Sequence, residues 1–237
     1  MLVKTNAIVL SSLRFNEKSL IVKCFTQADG LKSYFVRDAF STKKNNTKIA
    51  YFQPLTILAI EATHKKNANL NYFKEIRIAV PFQTIYINFV KSTIVMFVAE
   101  MLHHSIHEEE QNDDLFMFIE TALIWLDQHE LITNFHLIFT IELTKFIGFY
   151  PDISNIEYSY FDFKEGFFTL IQTATSFSLA ETVLLKKLLK LSFENSNKIF
   201  VVEERQLLLK ILMDYYKIHL ENFKEPKSIA VLKEVFG

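Results

Sequence analysis

The sequence predicts an α+β chain: a small β-barrel of five strands over residues 1–82, then a mostly helical region over 83–237 that carries an inserted β-hairpin. Three observations predict it. Near Phe82 the apolar residues change from short β-branched and aromatic runs to the three-and-four spacing of helices. The charge changes at the same place: residues 1–82 hold 13 Lys and Arg against 5 Asp and Glu, a net of +8, whereas the remainder carries −9 and brings the chain to −1. Finally, the segment 156–171 (IEYSYFDFKEGFFTLI) returns to alternation inside the helical part.

The strands are expected near 3–10, 19–27, 30–38, 50–62 and 70–80, with Ala28-Asp29-Gly30 turning one hairpin and the polar stretch 41–48 forming a loop. Five strands in so short a stretch fit an OB-type barrel, and a small SH3-like barrel fits the same pattern. From Thr84 onward Phe89, Thr93, Met96, Phe97 and Glu100, then Leu115, Ile119, Ala122, Leu123 and Leu126, follow helical turns. Further helices are expected near 133–148, 178–193, 203–222 and 228–236. The 156–171 segment reads as a hairpin turning at Lys164-Glu165-Gly166.

Composition narrows the chemistry. With half its residues hydrophobic, the chain can bury a sizeable core, as one large domain or two small ones. Four glycines and four prolines leave little room for a Gly-rich phosphate cradle. The one cysteine, Cys24, excludes an internal disulfide and a zinc site built from several thiolates, and it fits a reducing cytoplasm. The opening MLVKTNAIVLSS is a poor match to a signal peptide and reads as a first strand. The most apolar stretch, 85–102, is interrupted by Asn88, Lys91, Ser92 and Thr93, so no membrane span is expected.

Basic and aromatic residues interleave at Arg14, Lys18, Lys32, Tyr34 and Arg37, followed by Lys43, Lys44 and Lys48 in the loop. Phosphates need cations and bases need flat faces, so these residues are the candidate nucleic-acid site, with Phe15 or Tyr34 for stacking. A solvated basic surface accounts for the same residues. His103, His104 and His107, beside Glu100, Glu108, Glu109 and Glu110, sit at a helix end. Interaction with the last carbonyls explains them there, and His-Glu-x-x-His is absent, so no metal is expected. Cys24 reads as a buried thiol, Trp125 as packing, and Asp113-Asp114 and Glu203-Glu204 as helix-start acids complementing the dipole. No catalytic set stands out.

The run AIVLSSLRFNEKSLIVKCFTQADGLKSYFVRDAFSTKK resembles the N-terminal signature of the RecO family of recombination mediators: a strand, a glutamate-containing turn, a strand ending in Phe-Thr, a glycine and a basic strand. Phe52-Gln53-Pro54-Leu55, the Ala99-Glu100 helix and FTIELTKFIGFYPDI are similar to later landmarks of that family, so the resemblance spans nearly the whole chain. Many family members carry a four-cysteine zinc motif after Gly-Tyr-x-Pro. Here Gly148-Phe149-Tyr150-Pro151 leads instead to Ile156, Tyr158 and Tyr160, and aromatic packing is expected in the metal's place.

The resemblance implies an N-terminal OB fold and a helical C-terminal domain that bind single- and double-stranded DNA, anneal complementary strands and partner RecR and single-stranded-DNA-binding protein, so that RecA is loaded. It also implies a non-enzymatic, cofactor-free protein in the cytoplasm, associated with the nucleoid. For the acidic tail of single-stranded-DNA-binding protein, Lys186, Lys187, Lys190, Arg205 and Lys210 are the expected partner-binding residues. A protein-interaction scaffold and an RNA-binding OB protein are the alternative readings.

Overall fold

A computed structural model describes residues 1–40, 48–64, 69–107, 110–195 and 199–236, with Lys48 in its backbone alone. The chain divides into two compact units, Met1–Asp127 and Gln128–Gly237.

In the first unit β1 (Leu2–Arg14) is long enough to pair with two strands. Its first half meets β4 (Ile57–Thr63) and its second half β2 (Leu20–Thr26), with a register shift between Val9 and Ser11 that lets the strand bend. Adding β3 (Gly30–Val36) and β5 (Tyr72–Ile78) gives an antiparallel sheet in the order β3-β2-β1-β4-β5. The ladder is not closed. Its two outer strands meet at one parallel bridge, Tyr34 with Asn71, where Phe35 N donates to Asn71 O (2.9 Å) and Asn71 N to Ser33 O (2.8 Å). This is the strand order of an OB fold.

Alternation explains the inner face: Ala7, Val9, Leu20, Val22, Cys24, Tyr34, Val36, Leu58, Ile60 and Ala62 form one buried cluster. The Asp29-Gly30 turn forms as expected, and Gly30 is obligatory there. Its φ is +61°, and a Cβ built on it would overlap the backbone carbonyl of Glu110.

The expected strand 50–62 is shorter than the sequence suggested. Residues Lys48–Tyr51 form a short helix, α1, Pro54 supplies no N–H, and Leu55 adopts φ +61°, so extended backbone begins only at Ile57.

The opposite face of β1 and β2 is also covered. Ile8 and Phe25 are buried, α2 (Phe89–Ser105) packs on β1, and Phe25 lies 6.1 Å from Phe116 of α3 (Asp113–Gln128). The entry to α2 is held by Asp127, whose carboxylate accepts from the backbone of Gln83, Thr84 (2.7 Å) and Ile85 (3.0 Å). The fully buried Lys91 donates to Thr84 Oγ1 (2.8 Å) and to the Asp127 carbonyl (2.9 Å).

The second unit contains α4 (Phe135–Phe146), the hairpin β6 (Tyr160–Asp162) and β7 (Phe167–Thr169), α5 (Leu179–Leu188), α6 (Val202–His219) and α7 (Ile229–Phe236). Helix α4 is buried on nearly every side, as its apolar sequence requires. Ser178 and Glu181 cap α5 reciprocally, and Glu204 accepts from Val201 N (3.1 Å) at the start of α6. Asp113 and Asp114 likewise fall in the first turn of α3.

The hairpin turns at Gly166, φ +79°, and is locked by Asp162. This 4 % exposed carboxylate accepts from the hydroxyls of Thr173 (2.7 Å) and Thr175 (2.8 Å) and from the backbone of Lys164 and Glu165 (both 3.1 Å). Around it Phe161 meets Phe168 at 5.0 Å, Phe177 at 5.6 Å and Tyr215 at 5.8 Å.

Candidate nucleic-acid interface

At one end of the sheet the β1–β2 loop comes beside the exit of β3. Arg14 anchors that loop, its guanidinium donating to the carbonyls of Asn16 and Glu17 (both 3.2 Å) while lying 4.7 Å over the Phe40 ring. The Lys18 carbonyl accepts from Ala39 N (2.8 Å), which ties the loop to the segment after β3. The result is an open cavity of about 500 Å³ lined by Asn16, Glu17, Lys18, Ser19, Arg37 and Asp38. Lys18 and Arg37 are therefore brought together, with Arg14 anchoring the loop that lines the cavity, and all three side chains are exposed. The cavity is of mixed sign, since Glu17 and Asp38 share its lining. Other cations of the sheet are engaged: Lys4 and Lys74 both pair with Glu61, at 3.4 and 2.8 Å, and the Lys74 bond holds that carboxyl below its ordinary value.

Beside these cations runs an aromatic strip. Phe15 meets Phe35 edge to face (5.8 Å, 84°), Phe35 meets Tyr72 edge to face (6.2 Å, 75°), and the Arg37 guanidinium lies 5.9 Å from the Tyr72 ring. Phe15 is 61 % and Tyr72 45 % exposed.

The structure corrects Tyr34 as a stacking residue. It is wholly buried, its ring stacked 4.1 Å from Phe73, and burial pushes its hydroxyl far above the usual tyrosine range. Instead it is structural: its hydroxyl lies 2.7 Å from His64 Nε2, and His64 Nδ1 is 2.5 Å from Asp29 Oδ2. This chain, buried at Tyr34 and partly exposed at Asp29, ties the β2–β3 turn and the end of β4 to the seam between β3 and β5. Phe35 and Tyr72, which sequence reasoning missed, are the chain neighbours of the two seam residues, Tyr34 and Asn71.

Lys32 stands apart from this group. It lies on the Tyr34 side of β3 near the Gly30 turn, five residues or about 16 Å along the strand from Arg37. Lys43, Lys44 and the side chain of Lys48 lie outside the described residues. Of the partner-binding candidates, Lys186 donates to the Tyr158 carbonyl, and Arg205 donates to the carbonyls of Phe200 (2.8 Å) and Phe236 (3.0 Å), so both are turned to structural work. Lys187 pairs with Glu204 (3.6 Å); Lys190 and Lys210 are exposed.

His103 and His104 lie in the last turn of α2, their rings 5.4 Å apart. Burial, with Lys23 nearby, lowers His103 to about 4. Glu108 and Glu109 are outside the described residues, among which no group of three His, Cys, Asp or Glu is spaced to hold a metal ion. The hairpin segment has no cysteine, and Cys24 is buried in β2, where burial raises its thiol far above the ordinary range. These residues do not fit a four-thiolate zinc site. Among the described residues no helix is long and apolar enough to cross a membrane.

Fold and site define an OB-fold protein, with arginines and aromatic rings gathered at one end of its sheet, continued by a helical region. Residues 1–82 match the family model described as recombination protein O N terminal, and residues 88–228 the one described as recombination protein O C terminal. The chain is 63% identical over 237 residues to a protein of Flavobacterium johnsoniae called DNA repair protein RecO, and 60% identical to one of the same name from Flavobacterium psychrophilum. A third, from Christiangramia forsetii, is 36% identical, and in all three cases the whole of both chains is covered. The chain belongs to the RecO family.

Proposed function

We propose that this chain is a recombination mediator of DNA repair. It binds single- and double-stranded DNA, anneals complementary strands and, with RecR, helps load RecA onto DNA covered by single-stranded-DNA-binding protein. The reading assigns the 1–82 domain to DNA and the 83–237 domain to partners. It is not an enzyme and uses no cofactor; binding energy alone exchanges one DNA-bound protein for another in the cytoplasm, at the nucleoid.

The observation that carries the reading is the meeting of Lys18 and Arg37 in one open cavity, beside the loop that Arg14 anchors, at one end of a sheet whose segment has a net charge of +8. Phosphate contacts there release counterions and make affinity fall steeply with salt. Lys43 and Lys44, outside the described residues, are assigned to phosphates as well in this proposal. On the helical side the exposed Leu179, Val183 and Lys187 of α5, with Lys190 just beyond its end, suit an acidic tail with an apolar end.

Fluorescence anisotropy of labelled DNA strands across a salt series tests the reading, followed by strand annealing. Salt-sensitive binding without sequence preference supports it, and Lys43→Ala with Lys44→Ala flattens the slope. Failure to bind DNA at low salt overturns it in favour of a protein-interaction scaffold.

A further inference from the structure

We infer that Phe15, Phe35 and Tyr72 form a platform on which unpaired nucleobases stack, so that the sheet unit grips single strands through their bases as well as their phosphates. This deepens the DNA-binding reading and rests on it.

The three rings come from three separate places, just past β1, near the end of β3 and the start of β5, yet stand in series at 5.8 and 6.2 Å. Two of them are about half exposed or more, though a folded chain gains by burying such rings. Both contacts within the strip are edge to face, at 84° and 75°, so each covers one face of one ring, where a parallel stack would cover a face of both, and the other faces are left by these contacts. Those faces remain for a ligand that is itself flat.

The platform is also held in place. Phe15 N donates to Ser19 O (3.0 Å), Phe35 N donates to Asn71 O (2.9 Å), and the Tyr34–His64–Asp29 chain pins the seam beneath. Cations flank it: Arg14 is the chain neighbour of Phe15, and Arg37 lies 5.9 Å from Tyr72. Flat groups between cations suit a polymer of bases and phosphates.

The geometry selects among nucleic acids. In a duplex each base face is covered by the next pair, so a duplex offers this strip only its phosphates. In a single strand a base must leave its own stack first, which favours weakly stacked thymidine runs over adenosine runs.

The test uses the full chain with three labelled probes of one length: oligothymidylate, a strand of abasic residues with the same phosphates, and a duplex. Wild type should bind oligothymidylate at least about tenfold more tightly than the abasic strand. Phe15→Ala and Tyr72→Ala should narrow that gap while leaving the abasic strand, the duplex and the salt slope unchanged; Tyr72→Phe, which keeps the ring, should restore it. Equal affinity of wild type for the oligothymidylate and abasic strands overturns the platform alone, as does a variant that weakens all three probes equally. Binding to none of the three overturns the DNA-binding reading together with it.

Discussion

Phe35 and Phe161 each sit on a short strand beside a second aromatic strand, and their fates are opposite. Phe35 joins Phe15 and Tyr72 in a strip that faces outward among arginines, whereas Phe161 is fully buried against Phe168, Phe177 and Tyr215. Aromatic content alone therefore says nothing about use. What separates the two regions is what completes the surroundings: cations at the sheet, and at the hairpin a carboxylate satisfied by two hydroxyls and two backbone N–H groups.

The comparison can be broken first at its frame. Gly30→Ala should cost the first unit about 2–4 kcal/mol, because it combines an unfavourable positive φ with a backbone overlap. A urea midpoint unchanged from wild type would show that the turn is looser than the structure indicates. At the hairpin, Asp162→Ala should cost about 2 kcal/mol by leaving several donors without their acceptor. DNA affinity should hold, since the carboxylate serves packing in the other unit; a matching loss of DNA binding would mean that the hairpin belongs to the interface.

Acid sharpens the contrast in a smaller way. Burial lowers His136 to about 3, with Arg205 adding to the effect, and His103 to about 4. Folded values below the ordinary 6.5 mean that the neutral forms stabilise the fold fully above about pH 6.5 and that stability falls as pH drops from there toward 4 and 3. Asp162 and Asp127, held low by their donors despite burial, lose their contribution only at lower pH. By pH 5 the loss should be about 2 kcal/mol for the buried His136 and less for the partly exposed His103. Denaturant midpoints at pH 7 and pH 5 check it, and identical values would contradict it.

Most of this fold is legible in the sequence because its strands and helices carry clear periods and its turns carry glycine. The 50–62 segment differs: its aromatic and aliphatic residues suggest one strand, but Pro54 and the left-handed Leu55 break it. The site was only partly legible. Arg14, Lys18 and Arg37 stand out as basic residues near turns, yet the run Leu31 to Val36 has apolar side chains on both faces, so alternation could not tell Tyr34 from Phe35. Tyr72 reaches the strip through a parallel pairing of distant segments, which no local pattern announces.

In the proposed function DNA meets the sheet through Lys18 and Arg37 and not the helical unit through Lys187 and Lys190. Salt titrations of single-strand affinity for the Lys18→Ala/Arg37→Ala and Lys187→Ala/Lys190→Ala double variants test it most directly. The slope of log affinity against log salt should shrink by about 1.4 in the first and stay at the wild-type value in the second; the reverse pattern would place the DNA on the helical unit.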